Sequence, residues 1–183
     1  MGSFKYFARI AGVLFAVCTI TALLLGAVYG LTKDTIDQNN SKVMKDSISS
    51  IFEGDILIKE AIVTEELDAS VKEIYLVTEN EEAVGYAVHV APLGFKAEIE
   101  MIVGIGINGE CKSVRIISLS ETPGLGSKVS EKDFLSQFEG KNEKFTVKEN
   151  ITPIASATIS SKAVSAGVNA AMDAYKVVEG VKD

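Results

Sequence analysis

The sequence predicts an α+β domain carried behind one N-terminal transmembrane helix. Three observations lead to this fold class. An uncharged run, Ile10–Thr32, stands near the N-terminus, strand-like segments fill the middle of the chain, and apolar residues at helical spacing come towards the end. Strands that are gathered first, with helices after them, favour an antiparallel sheet with packed helices over an alternating α/β fold.

The uncharged run, residues 10–32, has the length of a membrane-spanning helix. A hydrocarbon core of roughly 30 Å needs about 20 apolar residues, whereas a cleaved signal peptide has an apolar stretch of only about 7–15. The run is therefore predicted to stay as an anchor in the cell membrane. Lys5 and Arg9 precede it and no acidic residue does. This asymmetry predicts a cytoplasmic tail at 1–9 and a domain on the non-cytoplasmic side.

A polar segment, residues 33–54, follows the anchor and is predicted to be a stalk. Asn39, Asn40 and Ser41 favour a break in it, and a weak helical stripe that includes Val43 and Phe52 follows. The globular domain is then predicted over residues 55–183. This length suffices for a single domain with its own core.

The middle of the chain predicts an antiparallel sheet. The strand-like segments are Ile56–Val63, Glu73–Thr78, Ala83–Val90, Ala97–Ile107 and Ser113–Leu119. A polar turn at residues 79–82 separates the second from the third, and Asn108-Gly109 separates the last two. Both separations predict β-hairpins, since Asn-Gly between apolar segments is among the strongest hairpin patterns.

Two helices are predicted after the strands. A short one covers Glu131–Phe138 and is opened by Ser130. A longer one covers Ser160–Val178, and its apolar residues recur at helical spacing. The members of this stripe are Val164, Val168, Ala171, Tyr175 and Val178.

Composition excludes several classes of function. All 25 Asp and Glu residues follow the predicted anchor, and so acidic a domain is a poor partner for nucleic acid. Cys111 is the only cysteine beyond the anchor, so no disulfide forms within the domain. His89 is the only histidine, and a metal site usually needs three or four ligands. No metal site and no catalytic residue of a hydrolase or nucleotide-binding fold is predicted.

One segment with two open interpretations follows the second hairpin. It consists of Glu121, Thr122, Pro123, Gly124, Leu125 and Gly126. Proline and glycine are typical of a tight turn. Alternatively, glycines on both sides of Leu125 allow the backbone to approach a flat ligand closely, with Pro123 stiffening the entry of the loop.

A second segment lies where the long helix is predicted to begin. It runs from Ala155 to Val164 and contains four hydroxyl side chains, Ser156, Thr158, Ser160 and Ser161, followed by Lys162. One interpretation is that Thr158 or Ser160 caps the helix. The other is that the first amides, the hydroxyls and Lys162 receive a phosphate, because a helix N-terminus favours anions.

Together, and in this order behind one span, the two segments resemble the FMN-binding subunits of membrane redox complexes. These are the G subunit of the Rnf ion-translocating electron transport complex and the related C subunit of the sodium-translocating NADH:quinone reductase. The G subunit is the closer in length and in the residues after the loop, which are Phe134, Gln137, Phe138, Gly140 and Lys141 here. The resemblance extends over nearly the whole chain.

The resemblance implies a covalently bound FMN. In that family the FMN phosphate is esterified to a threonine, which corresponds to Thr158 here, preceded by Ala157 as in the family pattern. Ser156, Ser160, Ser161 and Lys162 would then surround the phosphate. The loop positions Glu121, Thr122, Gly124, Leu125 and Gly126 would contact the isoalloxazine ring or its neighbours.

The same resemblance implies the partners and the role. The chain would relay electrons in an Rnf-type complex that couples electron transfer between ferredoxin and NAD to sodium or proton translocation, with no substrate site of its own. The implied partners are the A, B, C, D and E subunits, membrane lipid, and a flavin transferase that attaches the FMN.

Three positions depart from the family pattern. Thr152 stands where Asp is usual, Ala155 where Ser or Thr is usual, and Ser156 where Gly is usual. Ser156 is costly if this position needs a positive φ. The alternatives are therefore a quinone-reductase C-type subunit, a stand-alone anchored FMN-domain reductase, and a flavin-free structural subunit.

Overall fold

The structure, a computed structural model, describes residues 2–60 and 67–180, with the side chains of 2–5, 37 and 60 left out. The chain divides into two units, Met1–Lys42 and Val43–Asp183. Helix α1 runs from Gly2 to Ile51. Among the described helices it alone is long and apolar enough to cross a membrane, and its large apolar side chains from Tyr6 to Leu31 are exposed to the surroundings.

The break predicted at Asn39–Ser41 is wrong, because α1 continues through these residues. No proline or glycine occurs between Leu31 and Phe52. Asn and Ser cost a helix interior only tenths of a kcal/mol each, which is too little to end it. The compact second unit begins at Val43, so the last two turns of α1 belong to the globular part and not to a stalk ending at residue 54.

The second unit is built on a five-stranded antiparallel sheet in the order β1-β2-β3-β4-β5, so each strand pairs with its neighbours in the chain. The strands are β1 Ile56–Glu60, β2 Val71–Glu79, β3 Glu82–Val90, β4 Glu100–Gly106 and β5 Cys111–Ser118. The predicted extension of the first strand to Val63 lies outside the described residues. The predicted α+β class, with an antiparallel sheet and packed helices, is confirmed.

Both predicted hairpins are confirmed. Glu79 pairs with Glu82, and the two residues between them, Asn80 and Glu81, have φ values of 50° and 70°. Two successive positive φ values define the turn whose twist matches a two-residue hairpin. At the other hairpin Gly109 has a φ of 80°, and the amide of Gly106 donates to the carbonyl of Glu110.

The predicted short helix is shorter than its pattern. A 3-10 helix occupies Gly126–Ser130, and α2 covers only Lys132–Leu135. The Ser130 hydroxyl donates to the carbonyl of Ser127 and so does not cap α2. Phe138, predicted to close the helix, lies after it and packs its ring against those of Phe134 and Phe145. Ring packing, not helix periodicity, explains the apolar residues here.

Helix α3, Thr158–Glu179, covers one face of the sheet. Four members of its predicted stripe, Val164, Val168, Ala171 and Tyr175, are buried against residues of β3, β4 and β5, and Val178 is partly buried against the same core. The opposite face has a smaller core. There Ile48, Ile51 and Phe52, at and just after the end of α1, pack on Val77, Ala87 and Ile102.

His89 lies in β3 with its side chain 14% exposed. Its Nδ1 is 3.6 Å from a carboxylate oxygen of Glu73, and its Nε2 is 3.9 Å from one of Glu100. Neither ring nitrogen makes a hydrogen bond with a described residue, so the histidine is flanked by carboxylates and not bonded to them.

Candidate functional site

The two segments singled out in the sequence meet in one open cleft. Its volume is about 460 Å³, within the range of small-molecule sites. The cleft is lined by Phe95, Glu121, Thr122, Leu125, Gly126, Ser156, Ala157, Thr158, Ile159 and Ser160. The loop after β5 therefore forms one wall and the start of α3 forms the other.

Glu121 connects the two walls. Its side chain is turned inwards and the residue is only 6% exposed. Oε2 accepts a hydrogen bond from the Ser160 hydroxyl at 2.7 Å. Oε1 accepts the amides of Phe95 at 2.8 Å and Lys96 at 3.2 Å. One carboxylate thus joins the loop, the start of α3 and the turn that follows β3.

Burial and hydrogen bonding act in opposite directions on this carboxylate. Removal from water raises the pKa of Glu121, but the Ser160 hydroxyl, the amides of Lys96 and Phe95, and the nearby charge of Lys96 lower it by more. The net pKa lies below the usual range of a glutamate. Glu121 is therefore ionised at neutral pH, and its negative charge stays beside the cleft.

The glycines of the loop serve two different purposes. A Cβ on Gly126 would lie 2.7 Å from Oε2 of Glu121 and 2.9 Å from the Ser160 hydroxyl, so only glycine leaves room for that hydrogen bond. Gly124 has a φ of 74° and open space around it, and its amide donates to the Ser127 hydroxyl. Gly124 is thus a turn glycine and does not line the cleft, whereas Gly126 permits close packing.

The start of α3 has no side-chain cap. The N-cap residue is Ala157, so the predicted capping by Thr158 or Ser160 is wrong. The Ser160 hydroxyl is occupied by Glu121. The Ser161 hydroxyl, fully buried, donates to the carbonyl of Ala157 and accepts the amide of Ile154. The backbone hydrogen bonds of the helix begin at the amide of Ser161, so the amides before it point out of the helix end.

Thr158 and Ser156 differ from these two serines. Thr158 is half-buried in the cleft wall, and no described residue hydrogen-bonds its hydroxyl. Ser156 has a φ of 64°, a left-handed conformation that glycine adopts without strain. The positive φ on which the predicted cost of a serine depends is therefore present at this position. The left-handed turn comes two residues before Thr158.

Lys162 and Ser161 were predicted to lie around a phosphate, but neither lines the cleft. Lys162 is exposed, and Ser161 is buried beneath the first turn of α3. Helical geometry explains this. Lys162 follows Thr158 by four positions and Ser161 follows Ala157 by four, so each lies about one turn further along the helix, away from the cleft.

Two cleft residues were missed by the sequence analysis. Phe95 is 62% exposed in a turn between β3 and β4, and Ile159 is 54% exposed. With Leu125, 44% exposed, they give the cleft an apolar rim. Ile159 lies off the buried stripe of α3, and Phe95 is an aromatic residue beside Gly94 in a turn. An apolar side chain that fits no core pattern was the available indication for both.

Comparison with known proteins places this site in a class. Residues 94–173 match the family model of the FMN-binding domain, and this range contains all the residues that line the cleft. A solved structure, NqrC of Shewanella oneidensis, is similar over 53% of each chain, with 22% identity and a TM-score of 0.45.

Two curated relatives match almost end to end. The G subunit of the Na⁺-translocating ferredoxin:NAD⁺ oxidoreductase complex of Acetobacterium woodii is 30% identical over 190 residues, which cover 90% of this chain and 89% of that protein. The G subunit of the proton-translocating complex of Clostridium ljungdahlii is 28% identical over the same shares of the two chains. The chain belongs to the family of G subunits of ion-translocating ferredoxin:NAD⁺ oxidoreductase complexes, and it is a redox subunit of that type.

Proposed function

We propose that this chain relays electrons through an FMN that is esterified by its phosphate to Thr158. The observation that carries the proposal is the position of Thr158 in the wall of the cleft, at the uncapped start of α3 and across from the Glu121–Gly126 loop. The FMN supplies the electron-accepting and electron-donating chemistry. The protein binds it, orients it and limits its contact with water.

The start of α3 fits the phosphate. Amides that point out of a helix end, together with the helix dipole, favour an anion at this place. Of the hydroxyls nearby, those of Ser160 and Ser161 are already hydrogen-bonded inside the protein. Thr158 and Ser156 line the cleft with hydroxyls that no described residue hydrogen-bonds, and of these two Thr158 is the threonine that corresponds to the attachment residue of the family pattern.

The apolar rim fits the isoalloxazine ring. Exposed apolar side chains are stabilised when a flat, largely apolar group covers them, and Phe95, Leu125 and Ile159 surround the cleft beside Thr158. Thr122 lines the same wall and offers a hydroxyl to a polar edge of the ring. The residues present are thus suited to both ends of FMN.

The proposed setting is an Rnf-type complex that couples electron transfer between ferredoxin and NAD to ion translocation. The other complex subunits, a flavin transferase and membrane lipid around residues 10–32 are the proposed partners. The two relatives translocate different ions at nearly equal identity to this chain, so the proposal covers sodium and protons alike. Lys5 and Arg9 support a cytoplasmic N-terminus, with the FMN on the non-cytoplasmic side.

Flavin fluorescence of the denatured chain tests the attachment. The full chain is co-expressed with a flavin transferase and its complex, run on a denaturing gel and viewed under ultraviolet light. We expect a fluorescent band that disappears in Thr158→Ala and persists in Thr146→Ala, a matched change at another half-buried threonine, which lies outside the cleft. A dark wild-type band from the assembled complex would contradict the covalent attachment.

Reagent access tests the orientation. A single cysteine introduced at exposed Glu149 in a Cys18→Ala, Cys111→Ala chain should react with a membrane-impermeant maleimide in intact cells. A cysteine at position 3, in the predicted cytoplasmic tail, should react only after lysis. The reverse pattern would place the domain in the cytoplasm and contradict the proposed topology.

A further inference from the structure

We propose that the Glu121 carboxylate is the positioning group of the flavin site: it holds three chain segments around the cleft and, through its fixed charge, sets the reduction potential of the flavin. Only the effect on the reduction potential rests on the proposed function; the role in holding the chain segments does not. It differs from a role in which Glu121 is a direct ligand of the ring.

Glu121 joins its own loop to two other segments, the start of α3 and the turn after β3, which are distant from it in sequence. Ser160 is 39 positions from Glu121, and Phe95 and Lys96 are 26 and 25 positions away. Each contributes a hydrogen bond to the same carboxylate. Phe95 and Ser160 themselves line the cleft, so loss of this carboxylate would release two parts of its wall together.

Two glycines make the arrangement specific. A Cβ on Gly94 would collide with Oε1 of Glu121, and a Cβ on Gly126 would collide with Oε2 and with the Ser160 hydroxyl. The backbone therefore encloses the carboxylate from two sides. Hydrogen bonds to a charged acceptor are stronger than those between neutral groups, so an enclosed carboxylate fixes these segments more firmly than a neutral amide would.

Both oxygens of Glu121 already accept hydrogen bonds from the protein, which argues against direct ligation of the ring. No described basic side chain lies within ion-pair distance of Glu121, and the charge of Lys96 acts on the carboxylate only from beyond that distance. A negative charge at the wall of a cleft with an apolar rim makes the addition of electrons to a nearby ring less favourable. Glu121 should therefore lower the potential of the flavin.

The first test measures how firmly Glu121 holds the cleft segments when no flavin is present. Amide hydrogen exchange of Phe95 and Lys96 is compared in full-length chains, in detergent, that lack the flavin. Glu121→Gln and Ser160→Ala are compared with Glu149→Gln, an exposed glutamate outside the cleft. We expect exchange about tenfold faster or more in Glu121→Gln, a smaller increase in Ser160→Ala, and no change in the control. Unchanged exchange in Glu121→Gln would overturn the proposal.

The pH dependence of the unmodified chain gives the same test if Glu121→Gln does not fold. A carboxylate whose pKa is lowered on folding stays ionised below the usual glutamate pKa of about 4.3 and is protonated only as the pH falls further. Protection of the Phe95 and Lys96 amides, corrected for intrinsic exchange, should persist below that pH and then decrease. Loss of this protection at or above the usual pKa would contradict the proposal that the ionised Glu121 carboxylate holds these segments.

The second test measures the potential of the flavin in the loaded chain. We expect a more positive potential in Glu121→Gln and a smaller shift in Ser160→Ala, which loses one hydrogen bond to the carboxylate but keeps the charge at position 121. Glu149→Gln, outside the cleft, should keep the wild-type potential. An unchanged potential in Glu121→Gln, or an equal shift in Ser160→Ala, would overturn the role of the charge. A wild-type chain that carries no flavin would refute the proposed function. The exchange experiment would still decide whether Glu121 holds the cleft segments.

Discussion

The two walls of the cleft are built in opposite ways. In the loop wall, Glu121–Gly126, the polar groups find partners inside the protein: the Glu121 carboxylate has three donors and the Gly124 amide has an acceptor. In the helix wall, α3 begins without a cap, behind a serine in a left-handed conformation. The carboxylate of the loop wall is satisfied by donors from the rest of the protein, whereas the start of the helix wall leaves amides without helical partners.

This difference suggests two separate tasks: the loop wall positions a ligand, and the helix wall binds it. A wall whose buried carboxylate already has its hydrogen bonds within the protein is largely ordered, so a ligand placed against it bears less of the entropic cost of ordering it. A helix end with free amides gains hydrogen bonds only when an anion arrives. In the proposed function, the loop wall would supply shape, and the helix wall would supply the favourable interaction with the phosphate.

The largest expected effect comes from crowding the loop wall. Gly126→Ala places a Cβ within 2.7 Å of the Glu121 carboxylate, which must then shift or lose its bond to Ser160. Overpacking of a buried site costs about 1–3 kcal/mol. We expect a loss of that size in the free energy of unfolding, measured by denaturant titration, together with a loss of covalent flavin.

Gly124→Ala is the matched control, because it lies two residues away with open space around it. Its positive φ costs roughly 1 kcal/mol in strain, but the Glu121–Ser160 bond is untouched and flavin incorporation should persist. Equal loss of flavin in both variants would show that the loop wall is not held by Glu121 and would break the comparison.

A smaller effect of opposite sign is expected in the helix wall. Ser156→Gly removes the left-handed strain of about 1–2 kcal/mol and adds chain entropy to the unfolded state worth about 0.4–1 kcal/mol. The net gain in the free energy of unfolding, measured by denaturant titration, should lie between about 0 and 1.6 kcal/mol. Ala166→Gly, at an exposed site within α3, should instead destabilise the chain by about 1 kcal/mol, because glycine is a poor helix former.

The smallest effect tests whether Thr158 has a structural role. Its hydroxyl has no described partner and α3 has no side-chain cap, so Thr158→Ala should change the free energy of unfolding of the flavin-free chain by less than about 0.5 kcal/mol. A capping threonine would cost about 1 kcal/mol when replaced by alanine. A loss of that size would make the two walls more alike than the structure shows.

Local patterns predicted most of the fold. The hairpins at Asn80-Glu81 and Asn108-Gly109 and the buried stripe of α3 were all visible, because turn chemistry and helical periodicity act between residues close in sequence. The errors came where packing competes with local preference. Asn39–Ser41 did not end α1, and the residues around Phe134 and Phe138 follow ring contacts and not a helix.

In the site, too, local patterns were predicted from the sequence, whereas the contacts between distant residues were not. Both of its segments were recognised in the sequence, but hydroxyl-rich residues at a helix start look alike whether they cap, bond to a carboxylate or face a cleft. Ser160 and Thr158 are two residues apart and point to different partners. Only the distances decide which of them is free.

By itself, the sequence determined the apolar span, the antiparallel sheet, the long helix and the two segments of the site. Each depends on residue types at short spacing. The tertiary structure decided that the Glu121 carboxylate bonds to Ser160, Phe95 and Lys96 and that Phe95 and Ile159 line the cleft. It also decided that the Thr158 hydroxyl has no partner among the described residues. These facts depend on segments that are distant in the chain, and contacts between such segments exist only once the chain has folded.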